Sequence, residues 1–245
     1  MRRPLKRVAS YIPRHLIGTV TSVETTEPAI AFTFDDGPHP RQTPQFLDTL
    51  ESRGARGTFF LLGYMAERYP ELVARIRRGG HAIGNHSWNH PSFPAISAAE
   101  RRRQIRACGR ALGEIKPALF RPPYGDQTVL TRLDPLWLGW EVITWSISGT
   151  DWRGDGADSI AGRILTCLRP GSIVLLHDAL FRYEDVRYTS RDATLKALTV
   201  VLDTAASQYR FVTVPELLRL GRPNRELWIQ PGQADYLARL KSGET

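Results

Sequence analysis

The sequence is poor in cysteine and in long apolar runs. Its 245 residues include two cysteines, Cys108 and Cys167, and no Cys-x-x-Cys pair. Each cysteine lies among helix-forming residues, so the sequence predicts buried, unpaired thiols and argues against a disulfide framework. Since no run of about 18 apolar residues occurs, we expect no transmembrane helix.

The N-terminus lacks the apolar run that is typical of a secretory signal. Residues 1–7 read Met-Arg-Arg-Pro-Leu-Lys-Arg, and Arg14 and His15 follow. We therefore expect a cytoplasmic protein. The basic N-terminus also suits association with a membrane surface.

Lysine is scarce as well, with four lysines against 29 arginines and a net charge of +8. The arginines are spread along the chain, which favours a general bias in composition over a nucleic-acid surface. The densest cluster, residues 101–103 with Arg106 and Arg110, falls in a helical pattern and is predicted to be a solvated helix face. We expect no nucleic-acid partner.

Short apolar runs alternate with helical patterns along most of the chain. The predicted strands cover residues 29–34, 57–62, 81–86, 118–121, 138–147, 172–177 and 210–214. Such alternation indicates an α/β fold with a mostly parallel sheet, and about seven units suggest a (β/α) barrel. A polar lead-in (1–28) is expected before a single domain (29–221), and a polar tail (222–245) after it.

The first predicted strand ends in two adjacent carboxylates, Asp35 and Asp36, followed by Gly37-Pro38. Alternate side chains of a strand point to opposite faces, so both can serve one site only where the strand breaks into the turn. Two like charges this close need a cation, a proton or an arginine nearby.

His86 ends the third predicted strand and His90 follows it. Histidines at i and i+4 share one face of a helical turn, a spacing that suits two ligands of one metal, although a structural pair fits equally well. With Asp36 as a third ligand they would hold a divalent metal and leave coordination positions open. Ser87 is expected to hold the loop.

Three further clusters follow predicted strands. Arg121 can pair with Asp35 in a fork geometry or form an ordinary salt bridge, and the stiff Pro122-Pro123 loop sets the direction of the Tyr124 N–H, a candidate oxyanion donor.

Asp151 and Trp152 lie in a glycine-containing loop. Besides a role in the site, an ordinary loop carboxylate and a core tryptophan also fit the pattern. His177 ends the sixth strand; it is a structural histidine or, opposite a metal and a base, a general acid.

In this order the clusters resemble the polysaccharide deacetylases of the NodB-homology type, carbohydrate esterase family 4. The resemblance covers about residues 29–215 and rests on the motifs Thr33–Pro38, His86–His90, Arg121–Gly125, Asp151-Trp152 and Leu175–His177. It implies a distorted (β/α) barrel. Ser148 departs from the pattern, because many members have an additional aspartate there.

The resemblance also implies roles. Asp35 would be the base, oriented by Arg121, and His177 the acid, tuned by Asp151. Asp36, His86 and His90 would bind the metal, with zinc, cobalt and nickel all acceptable to such ligands. The acetyl pocket is expected to involve Trp152, Leu175, Pro122 and Pro123.

The predicted function is metal-dependent removal of N-acetyl groups from an N-acetylglucosamine-containing glycan or oligosaccharide, with release of acetate. A non-catalytic glycan-binding barrel is the alternative. Aromatic residues after His177, among them Tyr183 and Tyr188, are candidates for stacking on sugar rings.

Overall fold

The structure, a computed structural model, describes residues 17–181 and 190–232. Its strands are β1 (Thr19–Glu24), β2 (Ala29–Asp35), β3 (Gly57–Leu61), β4 (Ala82–Asn85), β5 (Leu119–Phe120), β6 (Glu141–Val142), β7 (Ile147–Ser148), β8 (Ile173–His177), β9 (Arg210–Phe211) and β10 (Arg222–Glu226). Its α-helices are α1 (Thr43–Glu51), α2 (Gly63–Arg68), α3 (Pro70–Arg78), α4 (Ala98–Leu112), α5 (Val129–Trp137), α6 (Ala157–Leu165), α7 (Asp192–Ala205) and α8 (Val214–Leu217). None of these described helices has the length and apolar character needed to cross a membrane.

Eight of the described strands form one parallel sheet: seven follow the order β6-β5-β4-β3-β2-β8-β7, and β9 pairs with the start of β2. Helices alternate with these strands along the chain, as right-handed crossovers between parallel strands require. The sheet curls into a distorted (β/α) barrel, which confirms the predicted fold class.

β2 lies in the interior of this sheet, and all seven of its residues are buried. It pairs in parallel with β3 on one side and with β8 on the other. The Phe34 ring stacks on Phe59 at 4.8 Å between centroids and meets the edge of Phe46 at 5.4 Å. Apolar, β-branched and aromatic side chains favour such a strand, which holds its last residue, Asp35, between two neighbours.

The sequence predicts no strand before residue 29 and none after 221, and both predictions are wrong. β1 and β10 pair antiparallel, with Thr19 opposite Glu226 and Glu24 opposite Arg222. β1 joins a core cluster through Val20 and Val23, and Thr19 and Thr21 are buried as well. The described parts of the lead-in and the tail therefore belong to the packed structure.

The strand predicted over residues 138–147 is divided into β6 and β7. Between them the chain leaves the sheet, because Ile143 pairs with Val20 of β1 and the Thr144 N–H donates to the Val20 carbonyl at 2.9 Å. The sequence pattern also predicts no helix at α5.

The sequence also predicts a capping box at Ser97 and Glu100 and helix N-caps at Thr43 and Asp158, and the structure corrects all three. Ser97 accepts the Glu100 N–H, but the Glu100 carboxylate binds Arg103 and Gln104 instead of reaching back to close a capping box. The N-cap of α1 is Gln42 instead of Thr43, and that of α6 is Gly156 instead of Asp158.

The two cysteines differ in exposure. Cys108 is buried, as predicted, whereas Cys167 is exposed because it lies just beyond the end of α6. Both are free thiols.

Candidate active site

The strand register brings the predicted motifs to one edge of the barrel. Asp35 ends β2 and His177 ends β8, and these two residues are opposite each other. Asn85 ends β4 and lies opposite Phe120 at the end of β5, so His86 and Arg121 follow from neighbouring strands. In parallel barrels the strands' carboxyl ends carry the chemistry.

Asp36 departs from the strand conformation that Asp35 still has. Its φ is 74°, in the left-handed region that residues other than glycine seldom adopt. This reversal turns Asp36 toward the same side as Asp35, so that both carboxylates approach His86 Nε2. Backbone strain of this kind clusters at functional sites.

The helical turn expected between His86 and His90 is absent. Ser87 has φ 72° and His90 has φ 65°, so the segment is a tight loop instead. The Ser87 hydroxyl accepts the His90 N–H at 3.0 Å, and the Gln104 side chain accepts the N–H groups of Trp88 and Asn89. The loop still brings the two imidazole centroids within 4.9 Å.

Asp36, His86 and His90 form a buried cluster whose possible ligand atoms all lie within 4.8 Å of one another. The Asp36 Oδ1 is 3.4 Å from His86 Nε2 and 3.2 Å from His90 Nε2. The His86 Nδ1 bonds the Arg121 carbonyl at 2.8 Å as a donor, which directs Nε2 toward Asp36. These three residues could hold a metal ion.

The protonation states of the cluster fit a cation. Burial lowers the pKa of His90 to about 3 against the opposing effect of Asp36, so the imidazole is neutral. For Asp36, burial raises the pKa, but His90 and His86 outweigh it and the carboxyl is ionised. Its Oδ2 accepts the Phe181 N–H at 3.1 Å, while the buried Oδ1 has no hydrogen-bond partner in the described part of the chain. An orphaned anionic oxygen between two imidazole nitrogens fits a divalent metal.

Arg121 is fully buried beneath this cluster and binds Asp35. Its Nη1 donates to Asp35 Oδ1 at 2.7 Å and to the Thr33 hydroxyl at 2.8 Å. The guanidinium also lies 4.1 Å from the Phe60 ring centroid. Burial lowers the pKa of Arg121, and the Asp35 carboxylate opposes that change. Asp35 is thereby held through one oxygen, and its Oδ2 lies 3.8 Å from His86 Nε2.

His177 is held by Asp151 through two bonds. Its Nδ1 is 2.8 Å from Asp151 Oδ1, and its backbone N–H donates to Oδ2 at 3.0 Å. Burial lowers the pKa of His177, but the Asp151 carboxylate outweighs it and the pKa rises to about 8. At neutral pH the imidazole is therefore a cation and a proton donor.

Asp151 is anchored in turn by the start of α7. Arg191 donates to Asp151 Oδ2 at 2.9 Å and to its carbonyl at 2.7 Å, and the Thr194 hydroxyl lies 3.1 Å from the same Oδ2. Sequence reasoning missed both residues. Arg191 carries no local signal among 29 arginines, and its partner lies 40 residues away.

Two more residues have contacts that the sequence did not predict, although Phe181 is one of the aromatic residues after His177 named as stacking candidates. Phe181 supplies the N–H on Asp36, and its ring lies 5.0 Å from that of His90. Asp178 is buried behind Gly37 and accepts the Thr43 hydroxyl. Burial, together with the charge of Asp36, raises the pKa of Asp178 to about 7. Both residues follow His177 closely, so position after the last motif is the one available signal.

A cavity of about 440 Å³ opens over these groups. Its walls include the following residues from the predicted set: Asp35, Asp36, His86, His90, Tyr124, Trp152, Leu175 and His177. Arg121 and Asp151 support the wall from behind. Pro122 and Pro123 are buried and are not among the lining residues. The aromatic candidates Tyr183 and Tyr188 lie outside the described residues.

This edge of the barrel holds three residues that could bind a metal, flanked by a carboxylate and a cationic imidazole, which is an arrangement expected of a hydrolase. The family model for polysaccharide deacetylase matches residues 22–142. The chain is 38% identical to a peptidoglycan-N-acetylglucosamine deacetylase of Bacillus cereus over 82% of this chain and 94% of the relative. It is 34% identical to a chitooligosaccharide deacetylase of Bradyrhizobium sp., over 71% and 83% of the two chains.

Among solved structures, a peptidoglycan N-acetylglucosamine deacetylase in complex with an N-hydroxybenzamide compound superposes with a TM-score of 0.76 at 30% identity, covering 90% of this chain and 99% of that one. The chain belongs to the polysaccharide deacetylase family, carbohydrate esterase family 4, whose hydrolases act on the N-acetyl amide bonds of glycans.

Proposed function

We propose that this chain removes acetyl groups from N-acetylglucosamine residues of a glycan or oligosaccharide, using a divalent metal. The observation that carries the proposal is the position of the Asp36, His86 and His90 cluster between Asp35 and His177. Relatives named as peptidoglycan and chitooligosaccharide deacetylases support the substrate class.

Asp36, His86 and His90 would hold the metal, for which we propose zinc because it accepts a two-histidine, one-carboxylate set. Bound there, it would polarise the acetyl carbonyl and lower the pKa of a water molecule at the site. The neutral His90 and the ionised Asp36 need no proton loss to accept it.

Asp35 is assigned the role of general base. Arg121 occupies its Oδ1, so Oδ2 is the oxygen left to accept a proton as the water oxygen adds to the acetyl carbon. The carbonyl oxygen then carries the negative charge. The Tyr124 backbone N–H, in a turn with φ 59° on the cavity wall, is the proposed donor to that oxyanion.

His177 is assigned the role of general acid. Its Nδ1 is committed to Asp151, so Nε2 carries the proton that the cavity can use. When the carbon–nitrogen bond breaks, this proton passes to the amine, leaving acetate and a free amino sugar. Trp152 and Leu175 line the cavity beside His177 and would enclose the acetyl methyl group.

Acetate release from a panel of substrates tests the proposal. Chitooligosaccharides of several lengths, peptidoglycan fragments and acetylated xylan would be compared with and without chelator, and with zinc, cobalt or nickel added back. We expect acetate from the N-acetylglucosamine substrates, loss with chelator and recovery with metal. Activity that survives complete removal of metal would contradict the metal assignment, and no release from any N-acetylated glycan would contradict the function.

A further inference from the structure

Helix α5 directs most of its large apolar side chains toward solvent and several polar side chains toward the protein. Its buried residues are Thr131, Arg132, Asp134 and Pro135. Its exposed residues are Leu130 at 73%, Leu133 at 42%, Leu136 at 41% and Trp137 at 70%. A surface helix normally directs its apolar stripe into the core, and an exposed apolar cluster marks a contact surface.

The inward polar contacts fix this orientation. Asp134 accepts Arg101 Nε at 2.5 Å and Arg102 Nη1 at 2.7 Å. Arg132 is buried and donates to the Gly18 carbonyl at 3.3 Å. Rotating the helix to bury its leucines would break these bonds, so the exposed apolar face is part of the folded structure.

A row of arginines on α4 borders the apolar face. Arg102 and Arg106 lie 5.7 and 5.5 Å from the Trp137 ring centroid. Arg106 and Arg110 line an adjoining groove of about 460 Å³ with Leu138 and Trp140. Their spacing of four residues places the three arginines on one side of the helix.

The nearby carboxylates leave this row cationic. Glu100 forms a salt bridge with Arg103, and Glu114 forms one with Lys116. Asp134 pairs with Arg101 and also with Arg102, the first member of the row, so Arg106 and Arg110 are the members that form no ion pair within the described residues.

The charge distribution selects among occupants. A two-fold dimer uses the same patch of both copies, so it would bring two arginine rows into one interface and add their like charges there. Residues 1–16 carry five Arg or Lys side chains and no carboxylate, so they repel the row as well. An anionic lipid surface suits both the apolar face of α5 and the arginines of α4. The leucines and the tryptophan would enter the boundary between headgroups and acyl chains, and the arginines would bind lipid phosphates.

We infer that the outer face of α5 and the arginines of α4 form a binding surface for an anionic phospholipid membrane. The inference is independent of the deacetylase proposal, since none of these side chains lines the catalytic cavity. It places the protein peripherally on the bilayer, held by apolar insertion and by phosphate contacts together.

Vesicle flotation of the full chain tests the inference, with phosphatidylcholine vesicles compared with vesicles that also contain phosphatidylglycerol. The patch variants are Leu130→Gln/Trp137→Gln and Arg106→Gln/Arg110→Gln. Val200→Gln changes an exposed apolar residue and Arg78→Gln an exposed arginine elsewhere on the surface, and both serve as controls. Thermal unfolding checks that each variant is folded.

We expect flotation only with the anionic vesicles, weakened by salt, and reduced about tenfold or more in each patch variant but not in the controls. Equal binding to neutral vesicles, or unchanged binding of the patch variants, would overturn the inference. So would loss of binding only on deletion of residues 1–16, or sedimentation showing a dimer that Leu130→Gln/Trp137→Gln dissociates.

Discussion

At the scale of single residues, the two side chains proposed to transfer protons, Asp35 and His177, are each held at one atom. Arg121 holds Asp35 Oδ1, and Asp151 holds His177 Nδ1. The opposite atom of each group is left for the substrate. Removing the carboxylate of Asp35 or the imidazole of His177 should therefore affect catalysis more than it affects the arrangement of Asp36, His86 and His90.

Asp35→Asn should lower kcat by about 10²- to 10⁴-fold while the protein still binds metal, because the amide cannot accept a proton. His86→Ala should lose both activity and metal, since it removes a ligand. Acetate release and metal content after dialysis measure the two effects. Asp203→Asn, an exposed carboxylate on α7, is the matched control. Near wild-type turnover of Asp35→Asn would show that another group is the base.

In metal-free protein the imidazole of His177 should titrate near its raised pKa of about 8. Asp151→Asn removes the anion that opposes burial, so the pKa of His177 should fall below the ordinary value of 6.5. Since the acid must be protonated, activity on the alkaline side should decline at lower pH in this variant. NMR titration, with the His177 signal identified by its loss in His177→Gln, gives the value directly. An unchanged pKa would contradict the assignment of Asp151.

At the scale of elements, Arg191 at the start of α7 binds Asp151 and so affects the pair that Asp151 forms with His177. Arg191→Gln removes a cation from Asp151, so the carboxylate becomes a better partner for the imidazolium and the pKa of His177 should rise. The alkaline limb of kcat/KM should move to higher pH while kcat falls, and Arg191→Lys should restore part of both. A lower kcat with an unmoved limb would indicate a purely structural role.

Gly171, just before β8, tests the junction with β1. It has φ +80°, and a Cβ there would overlap the Val23 carbonyl oxygen. Gly171→Ala should destabilise the protein by roughly 2–4 kcal/mol. The contrasting variant is Gly162→Ala in α6, where nothing lies within 4 Å and the helix should gain about 0.5–1 kcal/mol. Urea denaturation compares them, and equal stability of the two variants would be inconsistent with this junction.

Several elements could be predicted from the sequence because their signals are local. The apolar run of β2, the carboxylates at its end and the histidines after β4 are each visible within a few residues. β10 could not be, because its residues Arg222–Glu226 are polar and its partner is about 200 residues away. α5 was not predicted because its apolar side chains face solvent. The role of Arg191 was not predicted because only the fold brings it to Asp151.

At the scale of the whole molecule, the C-terminal segment contributes to both stability and the site. Arg225 pairs with Glu141 at 2.7 Å, and the Trp228 indole N–H donates to the Gly125 carbonyl at 2.9 Å. Gln230 bonds the backbone of Gln127 and lines the cavity. The segment therefore closes one side of the catalytic pocket.

A chain that ends at residue 221 should be less stable than one that ends at residue 232 by roughly 2 kcal/mol, or about 4–8 °C in Tm. It should also have a lower kcat/KM, because the wall formed by Gln230 is lost. Differential scanning calorimetry and acetate release on the two chains provide the comparison. Equal Tm values would mean that β10 contributes nothing to the fold.

Asp35 and His177 occupy one rung of the hydrogen-bonded ladder between β2 and β8. The backbone spacing between the proposed proton acceptor, Asp35, and the proposed donor, His177, is therefore set by the pairing of two strands and does not depend on the loops. Changes in the segments bearing Tyr124, Trp152 or Phe181 can reshape what enters the pocket and leave that span untouched. Adaptation to a new glycan can proceed at the rim while the hydrolytic step stays the same.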